Sequence, residues 1–186
     1  TGISKGFVPT NKWKKERFGT SWLVGDTLNI GIGQGFSLAT PLQLAVMTTR
    51  IASGREVTPN LIRNMEKELD EIKPLSIRKE TLAAIKKGMY DVVNEKKGTA
   101  FNFRSTDENF SIAGKTGTSQ VRRITREERE SGVIKNEDLP WKMRDHALFT
   151  CFAPYKNPKY ALSVVVEHGG SGSKVAAPIA RDIMLF

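Results

Sequence analysis

Cysteine and histidine are nearly absent from this sequence. Its 186 residues contain one cysteine, Cys151, and two histidines, His146 and His168. A single cysteine excludes an internal disulfide, and its place in the apolar stretch HALFTCFAP predicts a buried, unreactive thiol. The two histidines are too few and too far apart in sequence to indicate a metal site, so we expect a structural or substrate-edge role for each. No metal or other cofactor is expected.

Long hydrophobic runs are absent as well. The longest, ALSVVV at 161–166, has the length of a strand, whereas a membrane-spanning helix needs roughly 18 apolar residues. The polar and basic start, TGISKGFVPTNKWKK, is not a secretory signal. Because the chain also begins without methionine, we expect a piece of a longer protein. Its 186 residues suffice for one ordinary domain with a hydrophobic core.

Acidic residues are in the minority, with 20 Asp and Glu against 29 Lys and Arg, which gives a net charge of +9. A charge of this sign favours acidic partners. However, no zinc finger or RNA-binding aromatic motif accompanies the basic residues, so nucleic acid is not the expected partner. The segment 122–145 is charge-dense but mixed in sign, which is typical of a solvated surface loop or short helix.

Two helices are predicted in the first half of the chain. Residues 1–30 show no sustained periodicity and are predicted to be mostly loop. Thr40 before Pro41 is a typical helix start, and Gly54 a typical helix end, so a helix is expected over about 41–53. Its apolar face is predicted to contain Leu42, Ala45, Val46 and Thr49.

A second helix is expected over about 77–94, with Ser76 as its N-cap. Its predicted buried stripe consists of Leu82, Ile85, Met89, Val92 and Val93.

Three strands and a final helix are predicted in the second half. The strand candidates are 110–121, 146–153 and 160–167, and Pro154, Asn157 and Pro158 supply a turn between the last two. A helix is expected from near Ser173 to 185, although Pro178 would lie in its interior. The predicted fold class is therefore α+β, an antiparallel sheet flanked by helices.

The stretch IAGKTGTSQV at 112–121 is the candidate ligand-binding site. Glycine is unfavourable within a strand and often marks the close approach of another backbone or a ligand. A lysine among hydroxyl residues there is suited to an anionic ligand. A phosphate-binding P-loop is excluded, because Asn109 replaces its first glycine and GTSQVRR does not begin a helix. Lys-Thr-Gly is instead typical of enzymes that react with penicillin.

Four blocks extend this match in order and spacing. They are GFVPTNKWKKERFG, GDTLNIGIGQGFSLATPLQLAVMTTRIASG, IKKGMYDVVNEKKGTA, and IAGKTGTSQV with the following RDHALFTCFAPYKNPKYALSVVVEHGG. Together they resemble the C-terminal part of the transpeptidase domain of class B penicillin-binding proteins, with the elongation type as the nearest match. The resemblance implies that residues 1–186 are the C-terminal portion of a single transpeptidase domain, part of the fold shared with serine β-lactamases.

The same resemblance implies a mechanism and a site. Such enzymes acylate a serine with a stem peptide ending in D-Ala-D-Ala and then transfer the acyl group to a neighbouring peptide; β-lactams imitate that substrate. Lys115 is expected to supply positive potential at the substrate carboxylate, and Thr116 with Thr118 to hydrogen-bond it. Gly117 would let the substrate backbone lie close to the strand. The backbone amide of Thr118 would be a catalytic oxyanion-hole donor.

The family's nucleophile is not identified in this sequence. No Ser-x-Asn triplet occurs, and Ser-x-x-Lys occurs only as SIRK at 76–79 and SGSK at 171–174. Lys79 lies in a charged, hydrated segment, whereas an activating lysine must be desolvated. SGSK follows the Lys-Thr-Gly strand in the wrong order and is expected to be a turn and helix start. The resemblance implies that the serine and its lysine lie upstream of this chain, which alone would be inactive, unless another chain supplies the missing segment.

Two alternative functions remain open at this stage. One is a fragment of a β-lactamase or D,D-carboxypeptidase; the other is a non-catalytic basic module that binds cell-wall polymer or a protein. By resemblance, the expected partners are the D-Ala-D-Ala stem peptide, β-lactams, the missing N-terminal part of the same domain and the machinery of elongation and cell shape. The expected location is the extracytoplasmic, periplasmic face of the bacterial cytoplasmic membrane. A domain lacking its upstream part is also expected to expose apolar surface.

Overall fold

Helices and one antiparallel sheet make up the fold, as the α+β prediction expects. The computed structural model describes residues 4–60, 71–122 and 124–186. The chain divides into two compact units, one up to Gln43 and one from Leu44 onward. In the described ranges no helix is long and apolar enough to cross a membrane. The elements are α1 Asn11–Phe18, α2 Val24–Gly31, α3 Pro41–Ser53, α4 Lys79–Asn94, β1 Ala113–Ser119, α5 Arg126–Ser131, β2 His146–Ala153, β3 Tyr160–Val166 and α6 Ala177–Leu185.

The prediction that residues 1–30 are mostly loop is wrong for the described part, which begins at residue 4. Helix α1 begins where the Thr10 side chain accepts a hydrogen bond from the Trp13 amide, and it ends at Gly19, whose φ is +68°. The Trp13 ring packs against the rings of Phe7, Phe18 and Phe36 at centroid distances of 4.7 to 5.6 Å. Contacts between residues far apart in sequence thus stabilise a helix that has no apolar periodicity.

A buried ion pair joins α1 to α2. The Lys14 ammonium donates a hydrogen bond to the Asp26 carboxylate, and both side chains are largely shielded from solvent. This hydrogen bond is the main reason why the pKa of Asp26 is lowered. Asp26 also accepts from the Leu23 amide at 2.7 Å, so one carboxylate both pairs with Lys14 and closes the first turn of α2.

Helix α3 confirms the prediction over 41–53. The Thr40 hydroxyl accepts from the Gln43 amide at 3.2 Å, and the Gln43 side chain accepts from the Thr40 amide at 2.9 Å. Gly54 ends the helix with a φ of +70°. The predicted apolar face is only partly right, because Leu42 is 50% exposed while Thr48 and Ala52 are buried. Thr48 tolerates burial because its hydroxyl donates to the Leu44 carbonyl at 2.8 Å.

Helix α4 begins at Lys79, and the prediction of Ser76 as its N-cap is wrong. Arg78 occupies the N-cap position without a side-chain cap. A tight turn, in which the Ile77 amide donates to the Leu75 carbonyl, bends the chain before the helix starts. Of the predicted stripe, Met89 and Val93 are buried, Leu82 and Val92 are half-buried, and Ile85 is exposed.

The sheet has the order β1-β2-β3, and both pairings are antiparallel. The three predicted strands are confirmed, the first being shorter at both ends than expected. Strand β2 lies in the centre and is buried on both faces, as its continuous apolar run suggests. Cys151 is fully buried in it, and burial raises the pKa of its thiol to about 12, as an unreactive cysteine requires.

Helix α6 covers one face of the sheet. The β2 residues Ala147, Phe149 and Cys151 form a core cluster with Ala177 and Ala180 of α6. The Ser171 hydroxyl caps the turn Gly172–Ala176, which leads into α6, and Pro178 lies in the first turn of α6 rather than in its interior. On the opposite face, Phe152 packs with Ala52 of α3 and Met89 of α4.

The mixed-sign segment contains the short helix α5, as predicted. Its exposed side chains surround one well-shielded ion pair, in which Arg122 holds Glu128 with a hydrogen bond of 2.7 Å from Nη1 to Oε2. The Ile134 amide donates to the same carboxylate at 3.2 Å. These hydrogen bonds, of which the one from Arg122 has the largest effect, lower the pKa of Glu128 to about 2.

Candidate active site

The predicted Lys-Thr-Gly strand is β1, which forms an edge of the sheet built by the described residues. Lys115 pairs with Thr150, Thr116 with Phe149, Gly117 with Leu148, and Thr118 with Ala147. Side chains alternate along a strand, so Lys115 and Gly117 lie on one face while Thr116 and Thr118 lie on the other. Lys115 and Thr118 are exposed, and Thr116 and Gly117 are half-buried. The structure therefore brings all four predicted residues together on one accessible strand.

Gly114 serves the packing of the sheet. A Cβ on Gly114 would lie 2.4 Å from Cζ of Phe149 and 2.8 Å from the Thr150 carbonyl oxygen, and Gly114 is buried. The glycine thus marks a close approach, but the approaching group is the core of this same chain. Of the two alternatives that the sequence left open, a ligand or another backbone, the close approach at Gly114 is to the neighbouring strand.

Gly117 faces Leu148, and its surroundings are less tight. A Cβ at this position would lie 3.2 Å from the Leu148 Cβ, so a side chain would fit only if Leu148 shifted slightly. The turn before α6 also reaches this point, where Gly172 lies against the Gly117 backbone. Because residue 117 has no side chain, the backbone of β1 is uncovered at the centre of the predicted site.

Lys115 presents a positive charge that no described acidic side chain neutralises. Its ammonium donates to the Thr116 carbonyl oxygen at 2.7 Å. Among the side chains that the structure describes, no carboxylate forms a salt bridge with it, in contrast to Lys14 and Lys87, which pair with Asp26 and Asp91. An exposed, uncompensated lysine on an edge strand can attract an anion.

The Thr116 hydroxyl has a partner that sequence reasoning missed. Its Oγ1 lies 2.9 Å from Oγ1 of Thr99, and either oxygen can be the donor. Thr99 lies after α4 in the segment EKKGTA. In the sequence this segment is only part of a matching block, and no role for Thr99 itself follows from it. A separation of 17 residues in sequence carries no local signal, so only the fold shows this pair.

The two Ser-x-x-Lys sequences do not have the arrangement of a nucleophile and its base. Ser76 and Lys79 are both exposed, and Ser76 lies outside α4. The Ser171 hydroxyl accepts from the Lys174 amide at 3.3 Å and lies 3.2 Å from the Ser173 hydroxyl, so it is engaged in capping. Their rejection as nucleophiles at the level of the sequence agrees with these contacts.

The two histidines, too far apart in sequence to indicate a metal site, meet beside the predicted site. The His168 amide donates to Nδ1 of His146 at 2.9 Å, and their ring centroids are 4.7 Å apart. The His168 ring also contacts Trp141, and its Nδ1 lies 3.0 Å from the Arg144 carbonyl. No group of three potential ligands is found in the described part of the chain. These contacts give the pair a structural role at the end of β2, next to Ser119.

Comparisons with known proteins agree on one family. The family description "Penicillin binding protein transpeptidase domain" matches residues 2–185. The peptidoglycan D,D-transpeptidase MrdA of Haemophilus influenzae is 39% identical over 95% of this chain and 28% of its own length. MrdA of Escherichia coli K12 is 33% identical over 96% of this chain and 29% of its own length.

Solved structures give the same result. Penicillin-binding protein PBP2 of Helicobacter pylori, in a complex with MreC, matches with a TM-score of 0.80 and 39% identity over 97% of this chain and 30% of that one. PBP2 of Pseudomonas aeruginosa, in complex with WCK 5153, matches with a TM-score of 0.78 and 36% identity over 98% of this chain and 37% of that one. The chain thus spans about three tenths of the length of the MrdA relatives.

Proposed function

The chain belongs to the penicillin-binding protein transpeptidase domain family, and on that premise we propose that it forms one wall of the active site of a peptidoglycan D,D-transpeptidase. The observation that carries this proposal is β1, an accessible sheet edge where Lys115, which has no acidic partner among the described side chains, is followed directly by Thr116. The relatives named D,D-transpeptidase and PBP2 support the reaction class.

The proposed substrate is a stem peptide that ends in D-Ala-D-Ala. Its terminal carboxylate lies in the positive potential of Lys115 and accepts hydrogen bonds from Thr116 and Thr118. Its backbone adds to the edge of β1 as an extended strand, and the missing side chain of Gly117 permits close contact. The Thr118 backbone amide donates to the oxygen of the reacting carbonyl, where one such donor typically contributes roughly 10²–10³ in rate.

The reaction proceeds in two acyl transfers. The oxygen of a serine attacks the penultimate D-alanine carbonyl carbon, the peptide bond breaks, and terminal D-alanine leaves as an amine that takes up the serine proton. The amine of a neighbouring peptide then attacks the ester carbon, a new peptide bond forms, and the serine oxygen recovers a proton. A β-lactam also acylates the serine, but the amine released by ring opening stays attached to the acyl group. No group departs, and the reaction stops at the acyl-enzyme.

We assign the serine and its lysine to sequence outside these 186 residues. The exposure of Ser76 and the capping contacts of Ser171 support this assignment, as does the share of the relatives' length that the chain spans. The exposed apolar side chains in and after α2 also support this assignment. Val24 and Leu28 lie one turn apart in α2, and Ile32 follows the helix directly; all three are 67% to 78% exposed, a surface that an upstream part of the domain would cover.

The location and the partners of the enzyme are also part of this proposal. PBP2 of H. pylori forms a complex with MreC, and we propose a partner of the cell-shape machinery for the protein that contains this chain. Peptidoglycan lies outside the cytoplasmic membrane, so the proposed reaction takes place at its extracytoplasmic face.

Acylation by a penicillin tests this function. The full-length protein that carries this chain, and the chain alone, are incubated with a penicillin, and intact mass and peptide mapping locate the adduct. We expect one adduct per full-length molecule, on a serine outside these 186 residues, and none on the chain alone; heat-denatured protein controls for nonspecific acylation.

The other results of this experiment have distinct meanings. An adduct on Ser76 or Ser171 contradicts the assignment of the nucleophile. Rapid release of opened penicillin with recovery of free protein indicates a β-lactamase, and a full-length protein that forms no adduct supports the non-catalytic binding module.

A further inference from the structure

We infer that Thr99 is a positioning residue for the substrate carboxylate, an inference that rests on the proposed function. Its hydroxyl lies 2.9 Å from the Thr116 hydroxyl, which is proposed to bind that carboxylate. Thr99 donates its proton to Thr116, and the Thr116 proton is thereby directed to the anion.

The direction of the hydrogen bond follows from the chemistry of the groups. A threonine hydroxyl has one proton to donate, whereas an ionised carboxylate can only accept. Thr116 cannot donate to Thr99 and to the carboxylate at once, so the bound anion requires Thr99 to be the donor within the pair. A chain of hydroxyl, hydroxyl and anion also strengthens each of its hydrogen bonds through mutual polarisation.

The backbone around Thr99 is fixed on both sides. Gly98 packs against the end of α4, where a Cβ would lie 2.3 Å from the Val92 carbonyl oxygen. Ala100 is 1% exposed, belongs to the core cluster, and donates its amide to the same carbonyl at 3.0 Å. Thr99 thus lies between a glycine that admits no side chain and an alanine anchored in the core.

This arrangement gives Thr99 an accessible side chain on a backbone that is tightly packed on both sides. Thr99 is exposed and Thr116 is half-buried, so the pair lies at the surface where a ligand can reach it. A hydroxyl that served only stability would gain little here, because solvent water can replace its partner. Thr99 can instead orient the Thr116 hydroxyl proton before the ligand binds. A water molecule would do this less well, because it is not held in place.

The experiment measures the second-order rate of acylation by a penicillin in the full-length protein. Thr99→Val removes the hydroxyl at nearly constant shape, Thr99→Ser retains it, and Thr106→Val makes the same change at an exposed threonine in the following loop. We expect Thr99→Val to slow acylation about threefold to tenfold, the effect of one ordinary hydrogen bond. Thr99→Ser and Thr106→Val should stay within about twofold of the parent protein.

A double-mutant cycle separates positioning from general structure. In a Thr116→Val background, Thr99→Val should have no further effect, because the hydroxyl through which Thr99 acts is gone. Melting temperatures of all variants are compared, and Thr99→Ala is used in place of Thr99→Val if the latter lowers the melting temperature.

The outcomes distinguish this inference from the proposed function. If Thr116→Val slows acylation while Thr99→Val does not, Thr99 has no positioning role. An effect of Thr99→Val that persists in the Thr116→Val background overturns the inference equally. If the parent full-length protein forms no adduct at all, the proposed function fails and this inference fails with it.

Discussion

Gly172 packs so closely against Gly117 that a Cβ on Gly172 would lie 2.3 Å from the Gly117 carbonyl oxygen. The Leu148 carbonyl oxygen would lie 2.5 Å from the same Cβ. The turn that precedes α6 is thus seated directly on the paired backbones of β1 and β2. Backbone atoms cannot move aside as side chains can, so this contact determines how far the turn stands from the proposed substrate strand.

Gly172→Ala should therefore destabilise the protein by about 1–3 kcal/mol, the usual cost of overpacking. The substitution forces the turn away from β1 and should slow acylation by penicillin as well. Urea unfolding measures the first effect and adduct formation the second. Gly88→Ala is the matched control, because a Cβ on Gly88 meets nothing within 4 Å and alanine favours the helical interior of α4. Equal stability of the two variants would contradict the close contact.

Lys115→Ala should slow acylation of the full-length protein roughly 10- to 100-fold, because a hydrogen bond to a charged group contributes more than a neutral one. The measurement is the rate of adduct formation at several penicillin concentrations. Lys156→Ala removes the same charge from the exposed turn between β2 and β3 and should leave the rate unchanged. If both variants slow the reaction equally, net charge rather than the position of Lys115 is responsible.

Glu128→Gln should change the acid stability of the protein. Arg122 holds the pKa of Glu128 near 2 in the folded state, against an ordinary value of 4.5. A lowered carboxyl pKa stabilises the folded state above the ordinary value, and this contribution is lost as the pH falls from 4.5 toward 2. The difference in urea midpoint between parent and Glu128→Gln should thus be constant above about pH 5 and shrink below it. Glu130→Gln, at an exposed pair with Arg126, should show a much smaller difference.

Cys151 should resist thiol reagents in the native protein at pH 8. Its thiol is fully buried in β2 and has a pKa of about 12, so almost no thiolate is present and no reagent reaches it. Labelling with a chromogenic disulfide should become complete only after denaturation. An introduced cysteine, Thr106→Cys, should react at once. Rapid labelling of Cys151 in folded protein would contradict its place in the core.

Local signals predicted the elements that local contacts stabilise. The helix start at Thr40 and Pro41 depends on hydrogen bonds within four residues, and these form as expected. The apolar run HALFTCFA predicted β2 because a strand buried on both faces needs side chains of that kind. Lys115 was placed correctly on a strand by the same reasoning. In each case the residues that determine the structure are neighbours in sequence.

Elements that depend on distant contacts were missed. Helix α1 depends on the packing of Trp13 with Phe36, and its junction with α2 depends on the pair of Lys14 with Asp26. Ser76 fits the pattern of a cap, but a backbone turn at Leu75 moves the start of the helix past it. In the candidate site, the sequence placed the four proposed residues on one strand, whereas the contact of Thr99 with Thr116 was missed because the two lie 17 residues apart.

The edge position of β1 also affects the solubility of the protein. An accessible strand edge that accepts a peptide equally accepts the edge of another protein molecule, and lysine side chains on such strands oppose that pairing. We therefore expect Lys115 to oppose pairing of the β1 edge with a second copy of the chain, while the proposed short anionic ligand can still bind. Loss of Lys115 should then promote strand-to-strand aggregation in addition to weakening the proposed ligand binding.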